Sequence, residues 1–303
     1  MKRDLLALTD LSAEEIRRLI DRAIELKARR QRGILDRPLT GKIVGLLFDK
    51  ASTRTRVSFE AAAIRLGGGS IFISARDTQL ARSEPIADTA RVLGGYLDAL
   101  VLRTYAQQTV VDYARHTVVP VINALTDDYH PTQILADLMT VAEVQGGFEG
   151  VRLAWVGDGN NMANSWLNAA AVLGLELALA CPEEYRPRAD LLEKARAAAG
   201  AKVTLTVDPK EAVAGADVVN TDVWASMGHE GQEARRAAAF EGFTVDSALM
   251  ALAAPEAVVL HCLPAHRGEE IAAEVLEGSQ SVVWRQAENK MHMAAAILEW
   301  LVK

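Results

Sequence analysis

Ser52-Thr53-Arg54-Thr55-Arg56 gathers three hydroxyls and two guanidinium groups between an apolar, strand-like run and the start of a helical pattern. Free backbone N–H groups and the positive end of the helix dipole favour an anion at such a corner. Hydroxyls add donors, and arginine adds a planar fork matched to phosphate. The segment reads as a phosphate cradle, and the same residues also fit a plain Ser/Thr N-cap with surface arginines. It is not a Walker A loop, because no Gly-Lys-Ser/Thr closes it.

His130-Pro131-Thr132-Gln133 opens a second helical pattern, with proline in the first turn where its missing N–H costs nothing. A histidine at a helix N-terminus is disfavoured as a cation, so a neutral imidazole that donates a hydrogen bond and polarises a carbonyl is expected. Taken alone, the tetrapeptide favours a structural histidine beside the proline cap. Arg103 follows the strand-like run Ala99–Leu102, and in parallel sheets the carboxyl ends of strands line the ligand crevice. A surface arginine is the alternative.

The turn Gly157-Asp158-Gly159-Asn160-Asn161-Met162 is only superficially a dinucleotide loop. Met162 fills the third glycine position, and no single acidic residue sits about 20 residues on; Glu183 and Glu184 come later, after Pro182. The asparagines offer amide groups suited to a carboxylate, or ordinary Asx-turn chemistry. Asp222, in Thr221-Asp222-Val223-Trp224-Ala225-Ser226-Met227-Gly228, is placed to pair with an ammonium group, and the stretch from there to Phe243 reads as a mobile lid. In His261-Cys262-Leu263-Pro264 the thiol fits a buried, inert cysteine. A zinc set of His261, Cys262 and His266 lacks a fourth ligand and the usual spacing.

Strand-like runs alternate with helical patterns along the whole chain, which predicts an α/β fold of two domains, each a mostly parallel sheet flanked by helices. Helices are expected over Ser12–Arg30, from the Asp49–Thr53 loop through Ala61–Leu66, from Pro131 to Gln145, and over Ser165–Leu173, Ala189–Ala199 and Ala287–Val302. Ser12 and Glu15 form a capping box. Strands are expected at Ile43–Phe48, Ser70–Ser74, Ala99–Leu102, Val118–Asn123, Leu153–Val156, Leu177–Ala180, Val203–Thr206, Val218–Asn220 and Val258–Leu260. Interdomain helices join two domains that meet near residues 146–150. The first is expected over 1–147, with the helix 287–303 packing back on it, and the second over 148–286.

The length, 303 residues, exceeds one comfortable hydrophobic core. With 33 basic against 40 acidic side chains, the net charge of −7 argues against a nucleic-acid surface. Two cysteines, Cys181 and Cys262, do not make a disulfide framework and favour a reducing, cytoplasmic compartment. No signal or transit pattern is read at the start, and no uncharged apolar run reaches membrane-spanning length.

In order and spacing, Ser52–Arg56, Gln79, Arg103, His130–Gln133, Asp222–Gly228 and His261–Pro264 together resemble the aspartate/ornithine carbamoyltransferase superfamily, the last two motifs its ornithine-specific branch. The resemblance covers nearly the whole chain. It implies that Ser52, Thr53, Arg54 and Thr55 bind the phosphate of carbamoyl phosphate, that Arg103 and His130 hold its carbonyl oxygen, and that Gln133 helps hold its amide. Gln79 matches a loop that reaches a neighbouring subunit's site, which implies a homotrimer, or an assembly of trimers, with shared active sites. Asn161, Asp222, Ser226 and Met227 match positions that bind ornithine, and Cys262 and Leu263 match a segment touching both substrates. Arg103, His130, Asp222 and Cys262 form the implied catalytic set. The pattern departs at Lys290, a carbamoyl phosphate contact where the family carries arginine: lysine keeps the charge and loses the fork, with Arg285 nearby as a compensating cation. No cofactor or metal is implied. The rival readings are a carbamoyltransferase for putrescine or aspartate, a nicotinamide-dependent dehydrogenase, and a non-catalytic paralogue.

Overall fold

The computed structural model of the chain describes residues 2–74, 84–225, 231 and 233–302. It divides into two units, Met1–Met139 with Glu288–Lys303, and Thr140–Ala287.

In the first unit, the apolar run Ile43–Phe48 forms strand β1, buried at every position after Ile43. A strand covered on both faces needs such a continuous apolar run. With β2 (Gly69–Ser74), β3 (Ala99–Arg103) and β4 (Val121–Leu125) it makes a parallel sheet in the order β2-β1-β3-β4. β4 starts at Val121 rather than Val118, because Pro120 has no N–H for the ladder. Helix α1 (Ala13–Gln31) begins at the expected capping box: Ser12 accepts from the Glu15 amide, and Glu15 accepts from the Ser12 amide at 2.9 Å. Helices α2 (Thr53–Arg65), α3 (Ile86–Gly94), α4 (Gln107–His116) and α5 (Pro131–Gln145) follow. The sequence reading passed over α3 and α4, which are short and lack side-chain caps at their N-termini. Sheet order reverses between β1 and β3, and ligands in open parallel sheets sit outside the carboxyl ends of strands at such a point.

The second unit repeats this arrangement. Strands β5 (Arg152–Val156), β6 (Glu176–Ala180), β7 (Lys202–Thr206), β8 (Val218–Thr221) and β9 (Val258–His261) form a parallel sheet in the order β7-β6-β5-β8-β9, reversing between β5 and β8. Its helices are α6 (Asn161–Leu173), α7 (Ala189–Ala197), α8 (Pro209–Val213), α9 (Glu233–Ala239), α10 (Ser247–Met250) and α11 (Ala273–Leu276), and α12 (Val283–Leu301) begins here and continues in the first unit. α6 starts four residues before the expected Ser165 because Asn160 caps it, its side chain accepting from the Met162 and Ala163 amides. Gly174, left-handed at φ 71°, ends it. The core here runs from Val156, Val219 and Val259 to Phe240 and Val283. Helices α5 and α12 each carry the chain from one unit into the other. Among the described residues no helix is long and apolar enough to cross a membrane.

Candidate active site

In the first unit the sequence-predicted residues gather at the carboxyl ends of β1, β3 and β4. Ser52 is the N-cap of α2, its hydroxyl accepting from the Thr55 amide at 3.3 Å. Thr55 is buried, while Thr53 and Arg54 are exposed. Of the two arginines expected to serve an anion, Arg56 is committed elsewhere: its Nε donates to Glu60 at 3.0 Å and its guanidinium lies 3.6 Å from the centre of the Phe72 ring. Lys50, which the sequence reading did not single out, is buried, pairs with Asp127 and stands 4.3 Å over the Tyr105 ring.

Arg103 is the last residue of β3 and is buried. Its carbonyl accepts from the Asp49 amide at 2.8 Å, which ties the end of β3 to the residue after β1. His130 immediately precedes α5. Burial, reinforced by the positive charges of Lys290 and Arg103, pushes its pKa well below the ordinary histidine range, so the imidazole is neutral. Neutrality was expected from the helix terminus; burial is the larger cause.

Gln133 is oriented from both ends of its amide. Its Nε2 donates to Asp137 Oδ1 at 2.7 Å, and its Oε1 accepts from Lys290 Nζ at 2.6 Å. Asp137 was missed, although its i,i+4 spacing from Gln133 on α5 was the available signal. Arg285 is the cation weighed from the sequence as a compensation for Lys290. It is exposed, whereas Lys290 is buried, and five residues of helix turn the two about 140° apart.

In the second unit, sheet register explains the site. Val156 pairs with Thr221, and Thr221 with His261. The residues one step beyond, Gly157, Asp222 and Cys262, therefore emerge side by side. Asp222 Oδ1 accepts from the Cys262 thiol at 3.0 Å and from the Val223 amide at 2.9 Å, and Oδ2 accepts from Asn160 Nδ2 at 3.1 Å. An ionised carboxylate has about four acceptor positions. Three donors fix this one and leave capacity for a substrate nitrogen. Asn161, the next residue, is half-buried at the first turn of α6.

His261 holds the turn that carries Cys262 and Leu263. Its Nδ1 accepts from the Leu263 amide at 2.9 Å, so the proton sits on Nε2, which donates to Glu270 Oε1 at 2.9 Å. Gln286 Oε1 accepts from the His261 amide at 2.9 Å. These bonds hold Leu263 at φ 59°, a left-handed conformation that a γ-branched residue seldom adopts. Both ring nitrogens of His261 are thus engaged, and His266 is exposed beside Glu269. The zinc set weighed from the sequence is therefore not assembled. Glu270 and Gln286 were missed because nothing local in the sequence marks them as partners of His261.

Gly159 also has a packing role. A Cβ on Gly159 would lie 2.2 Å from the Pro187 nitrogen and 2.6 Å from the Tyr185 carbonyl oxygen. Within the stretch read as a mobile lid, Phe240 is fully buried and Arg236 is buried, so the α9 segment is anchored at these two residues. Gln79, Ser226 and Met227 lie outside the described residues.

Comparison with known proteins gives the family. The carbamoyl-P binding domain model of aspartate/ornithine carbamoyltransferases matches residues 3–143, and the Asp/Orn binding domain model matches residues 149–301. The chain is 53% identical to an ornithine carbamoyltransferase of Geobacter sulfurreducens over the whole of both chains. It is 57% identical to that of Desulfotalea psychrophila over 97% of each. Among solved structures, ornithine carbamoyltransferase from Pyrococcus furiosus superposes with a TM-score of 0.94 at 46% identity, covering 98% of this chain and 96% of that one. That from Thermus thermophilus gives 0.90 at 41% identity, covering 100% of each. The chain belongs to the aspartate/ornithine carbamoyltransferase family.

Proposed function

We propose that the chain transfers the carbamoyl group of carbamoyl phosphate to the δ-amino group of L-ornithine, giving L-citrulline and phosphate. The observation that carries the choice of amine is Asp222, a carboxylate fixed by Cys262, Val223 and Asn160 with acceptor capacity to spare. It matches a charged amine. The second carboxylate of aspartate would instead require an added cation there.

We assign carbamoyl phosphate to the first unit and ornithine to the second. Ser52, Thr53, Arg54 and Thr55 take the phosphate at the N-terminus of α2, with Gln79 and Lys290 as further anion contacts. Thr55, Arg103 and neutral His130 aim donors at the carbonyl oxygen, where negative charge grows as the tetrahedral intermediate forms. Gln133, locked by Asp137 and Lys290, holds the carbamoyl amide. Asn161, Ser226 and Met227 hold the α-carboxylate and α-amino end of ornithine with Asp222, and Cys262 and Leu263 lie against the reacting atoms.

Carbamoyl phosphate docks first, because its phosphate completes the charged cradle. The neutral δ-nitrogen attacks the carbamoyl carbon, the new C–N bond forms, and the C–O bond to phosphate breaks. The departing phosphate takes the amine proton, so no protein base is needed. The proposal extends to a homotrimer or an assembly of trimers, with Gln79 contributed by a neighbouring subunit, and to residence in the cytoplasm. Light scattering tests the assembly. A panel of L-ornithine, putrescine and L-aspartate tests the reaction: ornithine should give the highest kcat/KM, and a higher value for either rival amine would replace this reading.

A further inference from the structure

A buried charge pair without a role in the chemistry above stands at the carboxyl ends of β5 and β8. Arg236, on α9, is 6% exposed, and Asp158, in the turn after β5, is 7% exposed. Arg236 Nη1 donates to Asp158 Oδ2 at 2.6 Å and also to the carbonyl of Trp224. Its guanidinium lies 4.6 Å from the centre of the Tyr185 ring. Tyr185 in turn accepts from the Gly159 amide at 2.8 Å.

The two anchor points flank the residues of the Asn160–Asp222 bond. Asp158 is two residues before Asn160, and Trp224 is two residues after Asp222. The ladder between β5 and β8 ends at Val156 and Thr221. Past that point the two segments leave the sheet, and the 3.1 Å bond from Asn160 to Asp222 depends on their separation. One guanidinium bridges both segments just beyond the ladder. Stability alone is a poor reason to bury such a pair, since apolar residues of similar volume are often as stable or more so. A fixed cross-link between two strand ends is a reason that an apolar pair would not satisfy.

We propose that Arg236, with Asp158, is a positioning residue for the amino-acid substrate. It sets the spacing of Asn160 and Asp222, and through Asp222 the contact with Cys262. The inference rests on the reading that the Asp222 side of the second unit takes ornithine. The Ser52–Thr55 and Arg103 groups of the first unit do not depend on it.

The test uses full-length Arg236→Met, Asp158→Asn, the double variant and Arg236→Lys, with KM for each substrate, kcat and Tm measured. Both single variants should raise the KM for ornithine roughly tenfold, the scale of one charged hydrogen bond, and leave the KM for carbamoyl phosphate unchanged. The double variant buries no lone charge. Its Tm should recover toward wild type while its ornithine KM stays raised, and Arg236→Lys should recover part of the KM. If a single variant does not fold, the double and lysine variants carry the same comparison. A loss of Tm or active fraction with both KM values unchanged overturns the inference. So does a parallel rise of both, or a double variant with normal ornithine KM. A wild-type protein that does not carbamoylate ornithine overturns the functional reading and this inference together. An active wild type with unmoved KM values in the variants overturns this inference alone.

Discussion

Lys290 Nζ lies 2.6 Å from Gln133 Oε1, joining α12 to α5 across 157 residues of sequence. Because Asp137 takes the other end of the same amide, the ammonium fixes which face of Gln133 presents oxygen and which presents nitrogen. The same charge acts on His130, helping to keep the imidazole neutral. Lys290 thus has a defined local task.

Removing that charge should affect the acyl phosphate and not the amine. Lys290→Met is expected to raise the KM for carbamoyl phosphate by about 10- to 100-fold, since it deletes a charged hydrogen bond and releases the oxygen end of the Gln133 amide. Lys290→Arg should stay near wild type. Steady-state kinetics with each substrate varied in turn distinguishes the two effects.

In the proposed reaction, Arg103→Ala removes one donor from the developing oxyanion. A fall in kcat of about 100- to 1000-fold is expected, measured as citrulline formed at saturating substrates. Tm should change little by comparison, because the backbone bond from Asp49 to the Arg103 carbonyl is retained.

Two histidines give stability a defined pH dependence. His130 is held well below the usual value of 6.5 by burial and by Lys290 and Arg103, and His292 is lowered to about 4 by burial and the charge of Arg30. Below pH 6.5 the unfolded chain binds protons that the folded chain refuses. Stability present above that pH is therefore lost as pH falls, at roughly 1.4 kcal/mol per pH unit for each histidine. Tm should fall between about pH 7 and pH 5, and His292→Gln should reduce that slope. The pH–rate profile over the same window should carry no acid limb from His130.

At Gly159 the backbone of Tyr185–Pro187 leaves no room for a methyl group. Gly159→Ala should destabilise the protein by about 1–3 kcal/mol, seen as a lower midpoint in urea unfolding. It should also weaken ornithine binding, because Asn160, the next residue, both caps α6 and holds Asp222.

Where local sequence specifies structure, the reading was close. Ile43–Phe48 forms β1 over the residues its apolar run defines, and Ser12 with Glu15 closes the capping box of α1. Ser52 caps α2, and Pro131 opens α5. Ser52, Arg103, His130, Asp222 and Cys262 all stand at the carboxyl ends of parallel strands, as the alternation of runs implies. What one sequence conceals is pairing at a distance. Lys290 with Gln133, Arg236 with Asp158 and His261 with Glu270 and Gln286 are contacts made by sheet order and helix packing, with no local pattern to announce them. Arg56 misled for the opposite reason. Its composition suits phosphate, but Glu60 one turn along the helix and Phe72 on β2 claim it.

The most direct test of the account follows the bond itself. Carbamoyl phosphate labelled with carbon-13 and L-ornithine labelled with nitrogen-15 at the δ position are mixed with the protein and watched by NMR. The account predicts a carbamoyl carbon split by one-bond coupling to the δ-nitrogen, with one phosphate released for each citrulline. Carbon label appearing only in cyanate or bicarbonate, or on the α-nitrogen, would contradict it.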